Sequence, residues 1–357
     1  MNYSKKIISI SAFSILIIAC FFAYNFSKTQ TVQAFSQNST STKTDIQDPL
    51  SIDFMRNQNY PGSDLVIEKE LKSESNYSQY IASYKSENLK IYGLLTVPKE
   101  KKPKNGWPVI IFNHGYIRPS NYKTTVRYEL YVKAFAKSGY IVFKPDFRGH
   151  GNSEGQPNSQ YFTPDYTIDA LNAVATLKKY KDANPEKIGM WGHSDGGNVI
   201  LRSIVVDTKD IKAASIWGGV VGSYEDLTAD WQKRVPYKQP KEDVKIENNN
   251  MQNLLDKYGT PSSNPDFWKT IEPLDYLADI KTPLQIDTGS LDEQVPPDFS
   301  AKLNDKLLAL KKTVEYNNYK NGNHNISLAN SSKTVQFTIP NPDAIKSTIN
   351  FFDKYLK

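Results

Sequence analysis

The sequence predicts an α/β protein: a mostly parallel, doubly wound sheet with helices on both faces and a helical cap insert late in the chain. Three observations predict it. Short apolar runs alternate with stretches of helical length from Val109 to Trp217, the rhythm of parallel strands joined by right-handed crossovers. That rhythm stops over residues 222–281 and then resumes. The chain also has 357 residues, 39% of them hydrophobic, which suits one large core better than two independent ones.

Residues 1–34 are expected to be a signal peptide or membrane anchor. Lys5 and Lys6 precede an uncharged, mostly apolar run from Ile7 to Tyr24. Val32-Gln33-Ala34 suits cleavage, Ile17-Ile18-Ala19-Cys20 resembles a bacterial lipobox that would leave a lipidated Cys20, and the run approaches the length that spans a bilayer uncleaved. The protein is therefore expected to be extracytoplasmic, secreted or anchored, touching a membrane only through this segment. Residues 35–61, rich in Ser, Thr, Gln and Asn, read as a flexible linker. The folded domain is expected over 62–357.

Within it, Leu65–Leu71, Tyr80–Lys85 and Leu89–Val97 suggest an antiparallel lead-in. Strand Val109–Phe112, helix Thr124–Lys137, strand Tyr140–Lys144, helix Tyr166–Tyr180, strand Ile188–Trp191, helix Asn198–Val206 and strand Ala213–Trp217 follow. The polar stretch 222–281 carries Trp231, Trp268 and a helical piece at Met251–Tyr258. Connections this long in a compact domain are usually functional, which makes it a cap. Strand Leu284–Ile286, helix Ser300–Leu310, strand Val314–Tyr319 and a helix at Asp343–Tyr355 complete the pattern.

Composition removes several function classes. The only cysteine is Cys20, so the folded part has no thiol nucleophile, disulfide or thiolate metal site. Four histidines make a multi-histidine metal site improbable, and no metal or cofactor is expected. Of the net charge of +6, Lys5, Lys6 and Lys28 account for half. The remainder is too mild to suggest a nucleic-acid partner.

Gly192-His193-Ser194-Asp195-Gly196-Gly197 follows an apolar strand and opens a helix. A nucleophilic serine must project from a sharp strand-to-helix turn, and glycines two positions either side relieve the crowding there. Ser194 then needs a base and an acid to orient it. His193 should point away from its neighbour, and His114 and His150 sit in glycine loops with other work to do. His324, in the loop Asn321–Asn325 beyond a strand, is the expected base, because sites in open α/β sheets assemble past the strand ends. Asp292, in the turn after Leu284–Ile286, is the expected acid; Asp287 and Glu293 are its competitors. For the oxyanion, the backbone N–H of Asp195 is one expected donor and that of Tyr116, in Asn113-His114-Gly115-Tyr116, the other. The glycine loop Asp146–Gly155 lacks a G-K-[ST] signature and reads as a structural rim.

Together these five segments resemble the α/β-hydrolase superfamily, closest to its prolyl oligopeptidase-like and dienelactone hydrolase-like branch. The resemblance spans roughly Leu89 to Leu356. It implies a serine hydrolase acting through an acyl-Ser194, with the chain order Ser, Asp, His of that fold. Prolyl oligopeptidases proper carry an N-terminal propeller for which this chain has no room, so a hydrolase of small esters is expected. An exopeptidase of short peptides is the alternative, with Glu225, Asp226 and Asp230 available to capture a peptide amine. A non-catalytic binding protein on the same fold is a third reading, although no triad residue is missing. Tyr116, Trp231 and Trp268 are expected to wall the substrate site.

Overall fold

Nine strands hydrogen-bond into one sheet in a computed structural model that describes residues 48–357 except 159–160, 230, 239 and 328–338. They are β1 (Val66–Glu70), β2 (Tyr77–Ser86), β3 (Leu89–Pro98), β4 (Trp107–Asn113), β5 (Ile141–Pro145), β6 (Ala183–His193), β7 (Ile211–Trp217), β8 (Leu284–Gly289) and β9 (Val314–Tyr319). Their spatial order is β1-β2-β3-β5-β4-β6-β7-β8-β9. The lead-in β1-β2-β3 is antiparallel and joins β5 antiparallel, while every pair from β5 through β9 is parallel.

Period-two alternation assigns the two faces. In β4, Val109 and Ile111 enter one core, and Ile110 and Phe112 enter the other. Helices α3 (Asp165–Lys179), α4 (Asp195–Val206) and α9 (Pro297–Ala309) cover the first face. Helices α2 (Glu129–Lys137) and α10 (Pro342–Leu356) cover the second, with Phe135 packed edge-on to Phe352. Chain order reverses at β4, which is flanked by β5 and β6, so the β4 and β6 carboxyl ends form the switch point where such sheets bind ligands.

Three expectations need correction or bounding. The linker reading fails over 48–61: α1 (Ile52–Arg56) is capped by the Ser51 hydroxyl, and Ile52 and Met55 are fully buried. Two apolar residues on one face outweigh the polar composition around them. Helix α2 begins at Glu129 instead of Thr124, because Arg127 and Tyr128 take φ of +67° and +58°, incompatible with a helix. The signal or anchor segment, with Cys20, lies outside the described residues, as do residues 35–47.

The stretch 222–281 is indeed largely helical: α5 (Tyr224–Thr228), α6 (Trp231–Arg234), α7 (Lys241–Tyr258) and α8 (Pro265–Ile271). Trp231 and Trp268 anchor it. Their indole N–H groups donate to the Gln294 and Gly259 carbonyls, and both rings are buried in the first core. They are packing residues, not open walls. Tyr116, by contrast, is 44% exposed.

Candidate active site

β6 delivers Ser194 into the turn that starts α4, at φ +56° and ψ −121°, a region that residues with a side chain seldom occupy. The surrounding backbone holds it there. The Ser194 N–H donates to the Trp217 carbonyl at 3.0 Å, and its own carbonyl accepts from the N–H groups of Gly197 and Val220 at 2.8 and 3.0 Å. The motif glycines are needed for space. A Cβ on Gly192 would lie 2.5 Å from the Gly196 carbonyl oxygen, and one on Gly196 would lie 2.1 Å from that of Asn113. Ser194 itself is half-buried.

Asp292 follows β8 and His324 follows β9. The His324 Nδ1 donates to Asp292 Oδ2 at 2.8 Å, with both residues buried. Asp292 Oδ1 accepts the N–H groups of Gln294 and Val295, each at 2.9 Å, so the carboxylate is oriented from both oxygens. Burial pushes the imidazole down, but the charge and hydrogen bond of Asp292 dominate, aided by Glu293 and Asp195, and His324 is held above its ordinary 6.5. Nδ1 carries the proton donated to Asp292, which leaves Nε2 as the basic nitrogen.

The competitors separate cleanly. Asp287 lies inside β8, where Asn317 donates to it and burial raises it to about 7. Glu293, next to Asp292, accepts the His324 backbone N–H through its Oε2 at 3.1 Å and so braces the His324 loop. The other histidines are all buried and pushed down by burial. His114 faces the Gly115 and Asp146 carbonyls, and His150 those of Arg148 and Ile117. His193 turns away from Ser194 toward Tyr128 and the His324 carbonyl.

The loop after β4 reaches the serine. A Cβ on Gly115 would stand 2.9 Å from Ser194 Cβ, so the backbone leading to Tyr116 lies against the Ser194 turn. Asp195 opens α4, where the first N–H groups of a helix have no intrahelical acceptor. The Asp146–Gly155 loop is braced structure: buried Asp146 accepts from the Tyr122 and Thr124 hydroxyls, and Arg148 pairs with Asp169, Asp165 and Glu87.

Three contributors escaped the sequence reading. Glu293 was seen only as a rival acid. Gly218, at φ +50°, lies so close that a Cβ would be 2.9 Å from the His324 carbonyl and 3.2 Å from Asp292 Oδ2. Its signal was available in the Gly218-Gly219 pair at the end of β7. Tyr128 gave no local signal, since its partners are distant in sequence.

The insert also touches this loop. The Tyr116 hydroxyl donates to Asp243 Oδ1 at 2.8 Å, and Arg118 Nε donates to the same oxygen at 2.9 Å. The amino end of α7 is thereby tied to the loop beside Ser194.

Known proteins share this architecture. The chain is 27% identical over 241 residues to the uncharacterized peptidase YtmA of Bacillus subtilis, covering 66% of this chain and 82% of that one. The acetyl xylan esterase from Paenibacillus sp. R4 superimposes with a TM-score of 0.59 at 16% identity, over 85% of this chain and 92% of that one. The Porphyromonas gingivalis dipeptidyl peptidase 4 gives 0.58 at 19% identity, over 79% of this chain but only 36% of that one. At such identities the two superpositions establish the α/β-hydrolase fold alone. Residues 126–357, well over half of the chain, match the prolyl oligopeptidase family, peptidase S9. The chain belongs to that family and is a serine hydrolase of the S9 type.

Proposed function

We propose that this chain hydrolyses ester bonds of small substrates through an acyl-Ser194 intermediate. The observation that carries the reading is the buried 2.8 Å contact between His324 and Asp292, assembled past the strand ends beside the strained Ser194 turn. His324 Nε2 takes the Ser194 proton as the oxygen attacks the acyl carbon, and Asp292 stabilises the imidazolium. The N–H groups of Tyr116 and Asp195 receive the oxyanion. His324 then protonates the leaving group, and water, deprotonated by the same imidazole, releases the acid and restores Ser194. This chemistry needs no metal or cofactor. Export from the cytoplasm, with residues 1–34 as signal or anchor, is part of the same proposal.

The second reading is an exopeptidase acting on short peptides, which the names of YtmA and dipeptidyl peptidase 4 favour. Two observations favour the ester. The acetyl xylan esterase is covered almost end to end. Among the acids that could capture a peptide amine, Asp226 is already held by Lys302 and Arg234. A panel of p-nitrophenyl esters against aminoacyl and dipeptidyl anilides decides. For the acetyl ester, kcat/KM is expected to exceed that of any anilide by at least about a hundredfold; the reverse order establishes the peptidase.

A further inference from the structure

Tyr128 stands at the centre of a hydrogen-bond chain that the mechanism above does not use. The Gly115 N–H donates to its phenolic oxygen at 2.9 Å. The phenol lies 2.8 Å from His193 Nδ1, and His193 Nε2 lies 3.0 Å from the His324 carbonyl. The directions follow from valence. A carbonyl oxygen only accepts, so Nε2 carries the proton. Nδ1 of a neutral ring is then an acceptor, and the phenol must donate to it. Burial, reinforced by the charge of His324, depresses His193 to about 3, so the ring stays neutral at working pH.

We propose that Tyr128 is a positioning residue: through His193 it holds the loop bearing the Tyr116 N–H in fixed register with the backbone of His324, setting oxyanion donor and base against each other. This rests on the acyl-serine reading above. The chain consumes the Gly115 N–H, which leaves the next N–H, that of Tyr116, as the one presented to substrate. It links two loops, after β4 and after β9, by way of the residue that precedes Ser194. The backbone is bent to allow it: Arg127 and Tyr128 both take positive φ just before α2. Conformations of this kind persist where the surroundings impose them. A purely apolar role for the ring is served by its edge contacts with Phe112 and Tyr131, which a phenylalanine retains.

Tyr128→Phe therefore removes the hydroxyl and keeps the packing. With p-nitrophenyl acetate, kcat is expected to fall about 10- to 100-fold while KM stays within about threefold, the signature of an interaction realised in the transition state. His193→Phe should lose as much. His193→Gln, which retains one donor and one acceptor, should recover at least about tenfold of that loss. Thermal midpoints of all three are recorded, so that lost packing registers separately from lost positioning. A Tyr128→Phe kcat within about twofold of the parent overturns the proposal, whatever happens to its melting temperature. So does His193→Gln turning over no faster than His193→Phe. Turnover by Ser194→Ala instead overturns the underlying acyl-serine reading, and this proposal with it.

Discussion

At Ser194, His324 and Asp292 the proposed chemistry depends on one imidazole being neutral. His324 accepts the serine proton only in that state, and Asp292 holds its pKa above 6.5. Ester kcat/KM should therefore rise with pH through a limb above 6.5 and be lost as pH falls below it. Asp292→Asn removes the charge that raises the imidazole, so burial prevails and the limb should move to lower pH. The same change should cut kcat by about a thousand- to ten-thousandfold. A limb that stays in place after Asp292→Asn would remove Asp292 from the role of orienting acid. The reading of Ser194, Asp292 and His324 came from motif context and the scarcity of histidine. Their neighbours were less legible. Tyr128 and Glu293 act through contacts that join residues far apart in the chain, and no local pattern announces such a contact. Gly218 was open to inference, because a glycine pair at the end of a strand beside β6 signals close approach.

Among the elements, the parallel strands and the flanking helices were legible because their apolar periodicities are unbroken. The boundaries moved where a side chain has work outside its own helix. Thr124 hydrogen-bonds Asp146 and Tyr128 reaches His193, so α2 starts later than its apolar pattern suggests. Helix α1 was missed since five residues carry too little periodicity to show against a polar background. The insert was recognised by its length, but its attachment was not. That attachment makes a prediction: Asp243→Ala strips the acceptor from both the Tyr116 hydroxyl and Arg118 Nε. Limited trypsin cleavage within 229–260 should accelerate about tenfold as α7 loosens locally, and ester kcat should fall by less than that. Cleavage at the parent rate would mean that the insert is held without the Asp243 contacts.

For the molecule as a whole, one long sheet separates two cores, and Asp287 is one of the buried groups within it whose burial works against stability. Burial raises Asp287 to about 7 in the folded state from an ordinary 3.8. Between those values the unfolded chain has lost the proton and the folded protein retains it, so this group makes stability fall as pH rises from about 4 to about 7. Asp287→Asn, which resembles the protonated form, should melt higher than the parent at pH 8 and gain less or nothing at pH 4. A gain confined to pH 4 would contradict this. Whether Ser194 is the nucleophile is read out by a fluorophosphonate probe, which reacts only with an activated serine. Intact-mass and peptide analysis should show one adduct, on Ser194, in the parent and none in Ser194→Ala. An adduct on another residue, or undiminished labelling of the alanine variant, would take the nucleophile's role from Ser194.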